Sequence, residues 1–474
     1  MKYRPSKRVI WLMIPLLPLL LMFIGAWCAE KTGIEAKATR GLTAPKEKSF
    51  STTSPSTWPT ALARPRDWYD QGIDAIMKWD QNPWKTNDTY FGRRFHELRE
   101  SQNPQDQAEY RELLRLGKEW HQRILARHPE LAITYRDVPD DRNGLLHWME
   151  LMKRLKADHP DKPISLDFPE EFSQHFRKKQ NWNPVAARSW LDANRTLLDE
   201  IRAIGLMPDQ SAKGIDPASR PWSMSLDSAK ALLMDAHLAA EQGDTARALE
   251  SVRAANGLAN HLKRSESPLM IDVIYGSSIQ QKIQEYVFSA ILPSLPAGQT
   301  DIAAWENAVN PTLQQPGDFS RIIKGEWNGT MPTELLPAMS DSTDPHNPSD
   351  PEALAEAFTL NMENIARQND DITLAELPDN PTPQADLSKL SWRSRELAND
   401  LGMSGQYDSR RYWARYQVST GMTQAAFAIL KGQPVPNDPV SGQPYTWDPA
   451  TRILSAPAGK DFERMRIQLT LPKF

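Results

Sequence analysis

Residues 225–262 read SLDSAKALLMDAHLAAEQGDTARALESVRAANGLANHL, and this stretch decides the fold class. Ala229, Leu232, Leu233, Ala236 and Ala240 recur at helical spacing, Glu241-Gln242-Gly243-Asp244 forms a tight turn, and Ala246, Ala248, Leu249, Val252, Ala255 and Leu258 begin a second helix. Gly243 supplies a C-terminal stop and Asp244 the next N-cap, while small residues at facing positions let the two helices approach closely. The expectation is an antiparallel helical hairpin.

The pattern continues in both directions. Pro268 to Leu292 carries Leu269, Ile271, Val273, Ile274, Ile279, Ile283, Val287 and Ile291, a long apolar helix that should pack centrally. Upstream, Trp68–Trp79, Gln107–His128 (Leu113, Leu116, Trp120, Ile124, Leu125) and Asn143–Leu155 each show an apolar helical stripe. Asn183-Pro184 opens a further helix, read as running unbroken through Trp190, Leu191, Leu197, Leu198 and Ile201 to Gly205. Downstream, Pro337–Pro383 is rich in Pro, Ser and Asp and reads as surface loops around one helix near Ala353–Ala366; helical pattern resumes from Leu387 and is clearest over Ser409–Leu430. Strand-like alternation is nearly confined to the end, where Tyr445, Trp447 and Ile453–Ala456 suggest a small β-hairpin laid on the preceding helix. The fold class expected is all-α, with a small C-terminal β-hairpin.

The N-terminus sets the address. Lys2, Arg4, Lys7 and Arg8 precede an apolar run from Val9 to Cys28, long enough for a transmembrane helix with a cytoplasmic N-terminus. Ile24 and Trp27 stand where a signal peptidase needs small residues, and Trp27 stands where lipoproteins carry Gly or Ala before the cysteine. An uncleaved signal anchor is therefore favoured over cleavage or lipidation at Cys28. The domains expected are an anchor at 1–29, a Ser/Thr/Pro-rich tether at 30–66, a helical body at 67–433 with a loop-rich insert at 337–383, and a tail at 434–474. The location expected is a single-pass inner-membrane protein with its body on the periplasmic side.

Cys28 is the only cysteine, so the body has no disulfide, thiolate nucleophile or zinc–cysteine site. With 56 Lys and Arg against 60 Asp and Glu and no long basic stretch, nucleic acid is not an expected partner. No G-x-S-x-G, S-x-x-K, H-E-x-x-H, G-x-G-x-x-G or Walker sequence occurs, which removes the usual support for acyl-enzyme, zincin, dinucleotide and nucleotide-hydrolysing functions. No cofactor or metal is expected. His237 and Glu241 share a helix face but lack a second ligand pair, so they read as a satisfied pair; Glu119 and His121 do not share a face. Glu170-Glu171 and Asp370-Asp371 are the acid pairs a glycan hydrolase would draw on, although adjacent acids are ordinarily solvated. Most of the 16 tryptophans, Trp120, Trp148, Trp182, Trp190, Trp222 and Trp413 among them, sit at helical spacing and read as core. Trp79 and Trp84 flank the loop-like Asp80-Gln81-Asn82-Pro83 and are the candidates for partner binding.

Two resemblances accompany these readings. The Gly243-Asp244 hairpin resembles one tetratricopeptide-type unit, without neighbours at the repeat period. Pro436-Asn437-Asp438-Pro439-Val440-Ser441-Gly442-Gln443-Pro444-Tyr445, following a helix, together with Pro268-Leu269-Met270-Ile271 after the hairpin, resembles a group of uncharacterised membrane-anchored helical proteins of planctomycete- and verrucomicrobium-type bacteria. The tail is also similar to the C-terminal region of major pseudopilins, but there is no Gly-Phe cleavage site followed by a glutamate in an apolar helix, so pilus assembly is not implied. The resemblance covers roughly residues 220 to 460 and implies architecture and location rather than chemistry. The function expected is a non-enzymatic, membrane-tethered scaffold for an envelope protein or cell-wall glycan, with a glycan or peptidoglycan hydrolase as the alternative.

Overall fold

The structure is a computed structural model that describes residues 93–158, 182–215, 222–296, 300–313, 318–340, 407–457 and 468–473, with isolated residues such as Leu166, Phe172, His175, Phe176 and Arg220 between them. The anchor, the tether, Trp79, Trp84 and residues 341–406 lie outside the described residues.

The body is all-α, with a small sheet at its C-terminal end. Its helices are α1 Arg93–Glu100, α2 Pro104–Arg127, α3 Gly144–Asp158, α4 Pro184–Ala193, α5 Arg195–Gly205, α6 Trp222–Glu241, α7 Thr245–Lys263, α8 Met270–Tyr286, α9 Ile302–Val309, α10 Asp318–Thr330 and α11 Tyr407–Leu430. The expected hairpin is α6–α7. Gly243 has φ +75°, its N–H reaches Ala240 O, and the Asp244 N–H reaches Ala239 O, which closes the end of α6 as a left-handed glycine cap. The Asp244 side chain then accepts from Arg247 N at 3.1 Å and starts α7. Ala231, Ala236, Ala240, Ala248, Ala254 and Ala255 are completely buried, as close helix approach requires.

Around this hairpin the body closes on both sides. α8 crosses both α6 and α7; α5 and α3 pack on α7, α4 on α6, and α9 and α11 cover α7 and α8. α5 and α7 meet backbone to backbone: a Cβ built on Gly257 would lie 1.7 Å from Gly205 O. One apolar core runs from Trp148 and Leu191 through the hairpin to Phe288, Phe427 and Leu454. α2 packs with α1 and against residues 331–340, which follow α10, where Gly117 takes the Pro337 ring.

Several expectations are corrected. The helix read as continuous from Pro184 to Gly205 is two, broken at Asn194, whose side-chain amide donates to Trp190 O and competes with the helical ladder. In α2 the buried stripe is Leu113, Gly117, His121 and Ile124, with Leu116, Trp120 and Leu125 only half-buried, because close packing on Pro337 selects the glycine. α8 widens into a π turn at Val287–Ile291, where Leu292 N–H reaches Val287 O. Pro293 explains this: it lacks an N–H and its ring collides with the carbonyl four residues back in a regular helix. Helix also continues past α10, through a π turn Met331–Leu335 to Leu336–Ser340, into the stretch read as loop-rich from Pro337. The C-terminal hairpin is three strands, β1 Thr446–Asp448, β2 Ile453–Ser455 and β3 Gln468–Thr470, antiparallel in sequence order. β3 adds Leu469 to the core beside Leu454, and a third strand with an apolar face stabilises what two short strands alone would not.

Candidate functional site

Among the described residues, three of the buried polar clusters that fasten the body centre on an aspartate, and each has a structural task. Asp235, 2% exposed, accepts from Ser251 Oγ at 2.8 Å, Arg202 Nη2 at 2.9 Å and Arg247 Nε at 3.1 Å, tying α6 to α5 and α7. Asp272, at the first turn of α8, accepts from Leu269 N at 2.7 Å and Trp222 Nε1 at 2.6 Å and pairs with the fully buried Arg220. Burial raises its pKa, and Arg220 opposes that. The Asp-Pro-x-Ser-Gly turn folds on itself. Asp438 Oδ2 accepts from Ser441 N at 2.8 Å and Ser441 Oγ at 2.6 Å, and Oδ1 accepts from Tyr445 Oη at 3.2 Å. Pro439 and Tyr445 press against Gly421 of α11, so the turn clamps the tail to the last helix.

A fourth cluster is of a different kind. His237 of α6, Tyr286 at the end of α8, Ser294 just past the π turn, and His175 and Trp182 ahead of α4 meet at one end of the hairpin. The π turn is what brings Ser294 in. One extra residue in that turn sets the following positions back by about 100°, so Ser294 returns to the face of Tyr286 rather than lying about 80° away.

The hydrogen bonds fix a direction. Ser294 Oγ donates to Ala290 O at 2.9 Å, so it accepts from His237 Nε2 at 3.1 Å. Burial, reinforced by the charge of His175, holds His237 down to about 4, leaving a neutral ring with a bare Nδ1. Tyr286 Oη lies 2.9 Å from that atom and donates its single proton to it. It therefore accepts from His175 Nε2, also at 2.9 Å. The Tyr286 hydroxyl is pushed up by burial and by the charge of Glu241, so it stays protonated. Trp182 stacks on His237 with ring centroids 4.2 Å apart and a 22° tilt, and its Nε1 donates to Glu241 Oε1 at 2.7 Å. That same Oε1 is 3.8 Å from His237 Nε2. Phe176 packs on Tyr286 at 4.8 Å.

His237 and Glu241 are thus the pair read from the sequence, and their partners in the structure are Ser294, Tyr286 and Trp182. Among the described residues, no three His, Cys, Asp or Glu side chains are arranged to hold an ion. His121 packs on Trp327, away from Glu119, which pairs with Arg115. Glu171 is exposed, whereas Glu170, Asp370 and Asp371 lie outside the described residues. Trp148 and Trp222 are core, as expected, and Trp120, Trp182 and Trp190 are half-buried. The partners sequence reading missed, His175, Tyr286 and Ser294, lie 62, 49 and 57 positions from His237 (237 − 175 for the first), beyond any helical period. No family model matches the chain, nor does any curated protein or solved structure.

Proposed function

We propose that the protein is a membrane-tethered envelope protein, non-enzymatic, whose helical body serves as a scaffold for another protein or for cell-wall glycan. In this reading Val9–Cys28 anchors the chain in the inner membrane, residues 30–66 space the body from it on the periplasmic side, and the α6–α7 hairpin plays the part a tetratricopeptide-type unit plays in binding proteins. Among the described residues no helix is long and apolar enough to cross a membrane, so the anchor rests on residues 9–28 alone.

The observation that carries the reading is how the acids of the body are used. A glycan hydrolase needs two carboxyls flanking an open cleft, one of them with its pKa raised. Among the described residues the carboxyl shown as raised is Asp272, and it is sealed at 0% exposure by Arg220 and Trp222. Asp235 and Asp438 are likewise spent on fastening helices and the tail.

The test pairs address with activity. Protease added outside spheroplasts should digest the body while it spares a cytoplasmic N-terminal tag. The full chain in detergent, incubated with isolated sacculi, should co-sediment with them or crosslink reproducibly to one envelope protein, without release of soluble muropeptides. Muropeptide release that rises with protein concentration would overturn the scaffold reading in favour of a hydrolase. A protected body would overturn the orientation.

A further inference from the structure

We propose that Arg136, Arg264, Arg321 and Lys324 form a binding site for a phosphate group at the C-terminal end of α7, between α10 and the chain that leads into α3. Hydrogen bonds set the walls. On α10, Arg321 Nη2 donates to Lys263 O at 3.3 Å, and Asn328 Nδ2 donates to Leu131 O at 2.8 Å. Between them Gly325 lies so close to Pro268 that a Cβ would stand 2.1 Å from the proline carbonyl oxygen. This edge of α10 therefore runs along the 263–268 turn and reaches the stretch after Leu131. Lys324 is one helical turn from both Arg321 and Asn328 and shares that edge. Arg136 closes the opposite side: its Nη2 donates to Arg264 O at 3.4 Å and its Nε to Glu266 Oε1 at 2.7 Å. The guanidiniums of Arg136 and Arg321 thus hang on neighbouring carbonyls where α7 ends.

Covering the last carbonyls of a helix is an ordinary use of arginine, and it accounts for Arg136 and Arg321. It does not account for Arg264 and Lys324. Both are half-buried, and among the described residues neither side chain has a hydrogen bond or an ion pair. The two carboxylates of the cluster are already engaged. Glu266 accepts from Arg136 N, Arg136 Nε and Ala212 N, and Asp318 pairs with Arg321 at 3.0 Å. Four cations therefore stand against two carboxylates, and Arg321 feels the excess. Burial lowers its pKa, Asp318 opposes that, and the charges of Arg264 and Arg136 lower it further; its Nε is buried without an acceptor. Like charges that the fold holds together cost stability, and a bound anion removes that cost. An excess of two cations with donors on three sides suits a tetrahedral dianion, whereas a planar carboxylate occupies a single arginine fork. The chemistry recognised is a phosphate group, whether free or carried by a lipid headgroup.

Isothermal titration of the full chain in neutral detergent with inorganic phosphate, ionic strength held constant with chloride, tests the site. Saturable binding is expected, weakened about tenfold by Arg264→Gln and by Lys324→Gln, each of which removes one charge-assisted contact. Arg253→Gln, at an exposed cation of α7 well before the turn, should leave the affinity unchanged. No binding beyond the chloride control, or equal weakening by Arg253→Gln, would overturn the proposal. Should the site variants fail to fold, the wild-type chain decides alone: phosphate should slow acetylation of Lys324 and leave that of the exposed Lys118 of α2 unchanged. Labelling of Lys324 that phosphate does not slow would overturn the site. Glycerophosphoglycerol in place of phosphate separates the sources. Binding of comparable strength supports a lipid phosphodiester, and binding of inorganic phosphate alone supports a free phosphate or a monoester.

Discussion

Acidification should unfold this body well above the pH at which ordinary carboxylates protonate. His121, His237 and His261 are each at most 9% exposed, and burial holds each of them down to about 4. The geometry agrees in every case. His261 Nε2 donates to Ile204 O at 2.9 Å, and its Nδ1 is buried without a partner, so a second proton would have no acceptor. His121 Nε2 is buried without a partner beside Trp327. His237 is closed in by Tyr286, Ser294 and Trp182.

The unfolded chain binds a proton on each ring near pH 6.5 and the folded chain only near 4, so the unfolded state carries more protons between these values. The contribution is present in full only well above pH 6.5 and is lost progressively as pH falls through that value towards 4. For one such histidine the loss is about 0.2 kcal/mol at pH 7 and about 2 kcal/mol at pH 5. The three together remove roughly 5 kcal/mol over those two pH units, against a total stability that for folded proteins is about 5–15 kcal/mol. Urea unfolding of the full chain in detergent, followed by tryptophan fluorescence and far-UV circular dichroism, should show the midpoint falling by about 1–2 M from pH 7 to pH 5. His261→Gln, which keeps a donor for Ile204 O, should flatten that slope by about a third. A midpoint that shifts by less than about 0.3 M over this range, or a slope untouched by His261→Gln, would refute the reasoning.

Three further outcomes follow from single contacts. Gly257→Ala places a methyl 1.7 Å from the Gly205 carbonyl, so α5 and α7 must separate, and thermal unfolding should show a loss of about 3 kcal/mol or more. Arg220→Met leaves the Asp272 carboxylate buried without its cation and should cost about 3–5 kcal/mol in denaturant melts, part of which Arg220→Met combined with Asp272→Leu should restore. Tyr445→Phe removes the donor to Asp438 Oδ1 and should cost about 1–3 kcal/mol, with exchange in residues 438–455 rising before that in α7.

The fold was legible where a local rule and a tertiary requirement coincide. Gly243 and Asp244 end one helix and start the next because each satisfies backbone groups within a few residues of itself, and no distant contact is needed to predict that. Asn183 opening α4 is the same case, its side chain accepting from Ala186 N. Legibility failed where the deciding partner is remote or where two local rules compete. Asn194 breaks a helix that its apolar period would continue, and the period prevailed in the reading because side-chain competition for Trp190 O has no signature of its own. Gly117 and His121 were passed over in α2 because an apolar stripe is sought in large side chains, whereas Pro337, more than two hundred residues on, needs the absence of one.

The same asymmetry governs the site. Glu241 was found beside His237 because four residues on a helix make neighbours, and it is the weakest of the contacts His237 makes, at 3.8 Å. The contacts that set its proton state come from α8, from a proline-widened turn and from the segment before α4, and each is a product of packing rather than of period. Periodicity reports which face of α6 is buried; it does not report that a titratable ring is buried on that face with its donors and acceptors in balance. A sequence reading sees His237 only as half of a satisfied pair with Glu241, and it misses what satisfaction entails. A ring whose every proton already has an acceptor has no place to put another, so the network that makes His237 structurally unremarkable at neutral pH is the one that makes it responsive to acid.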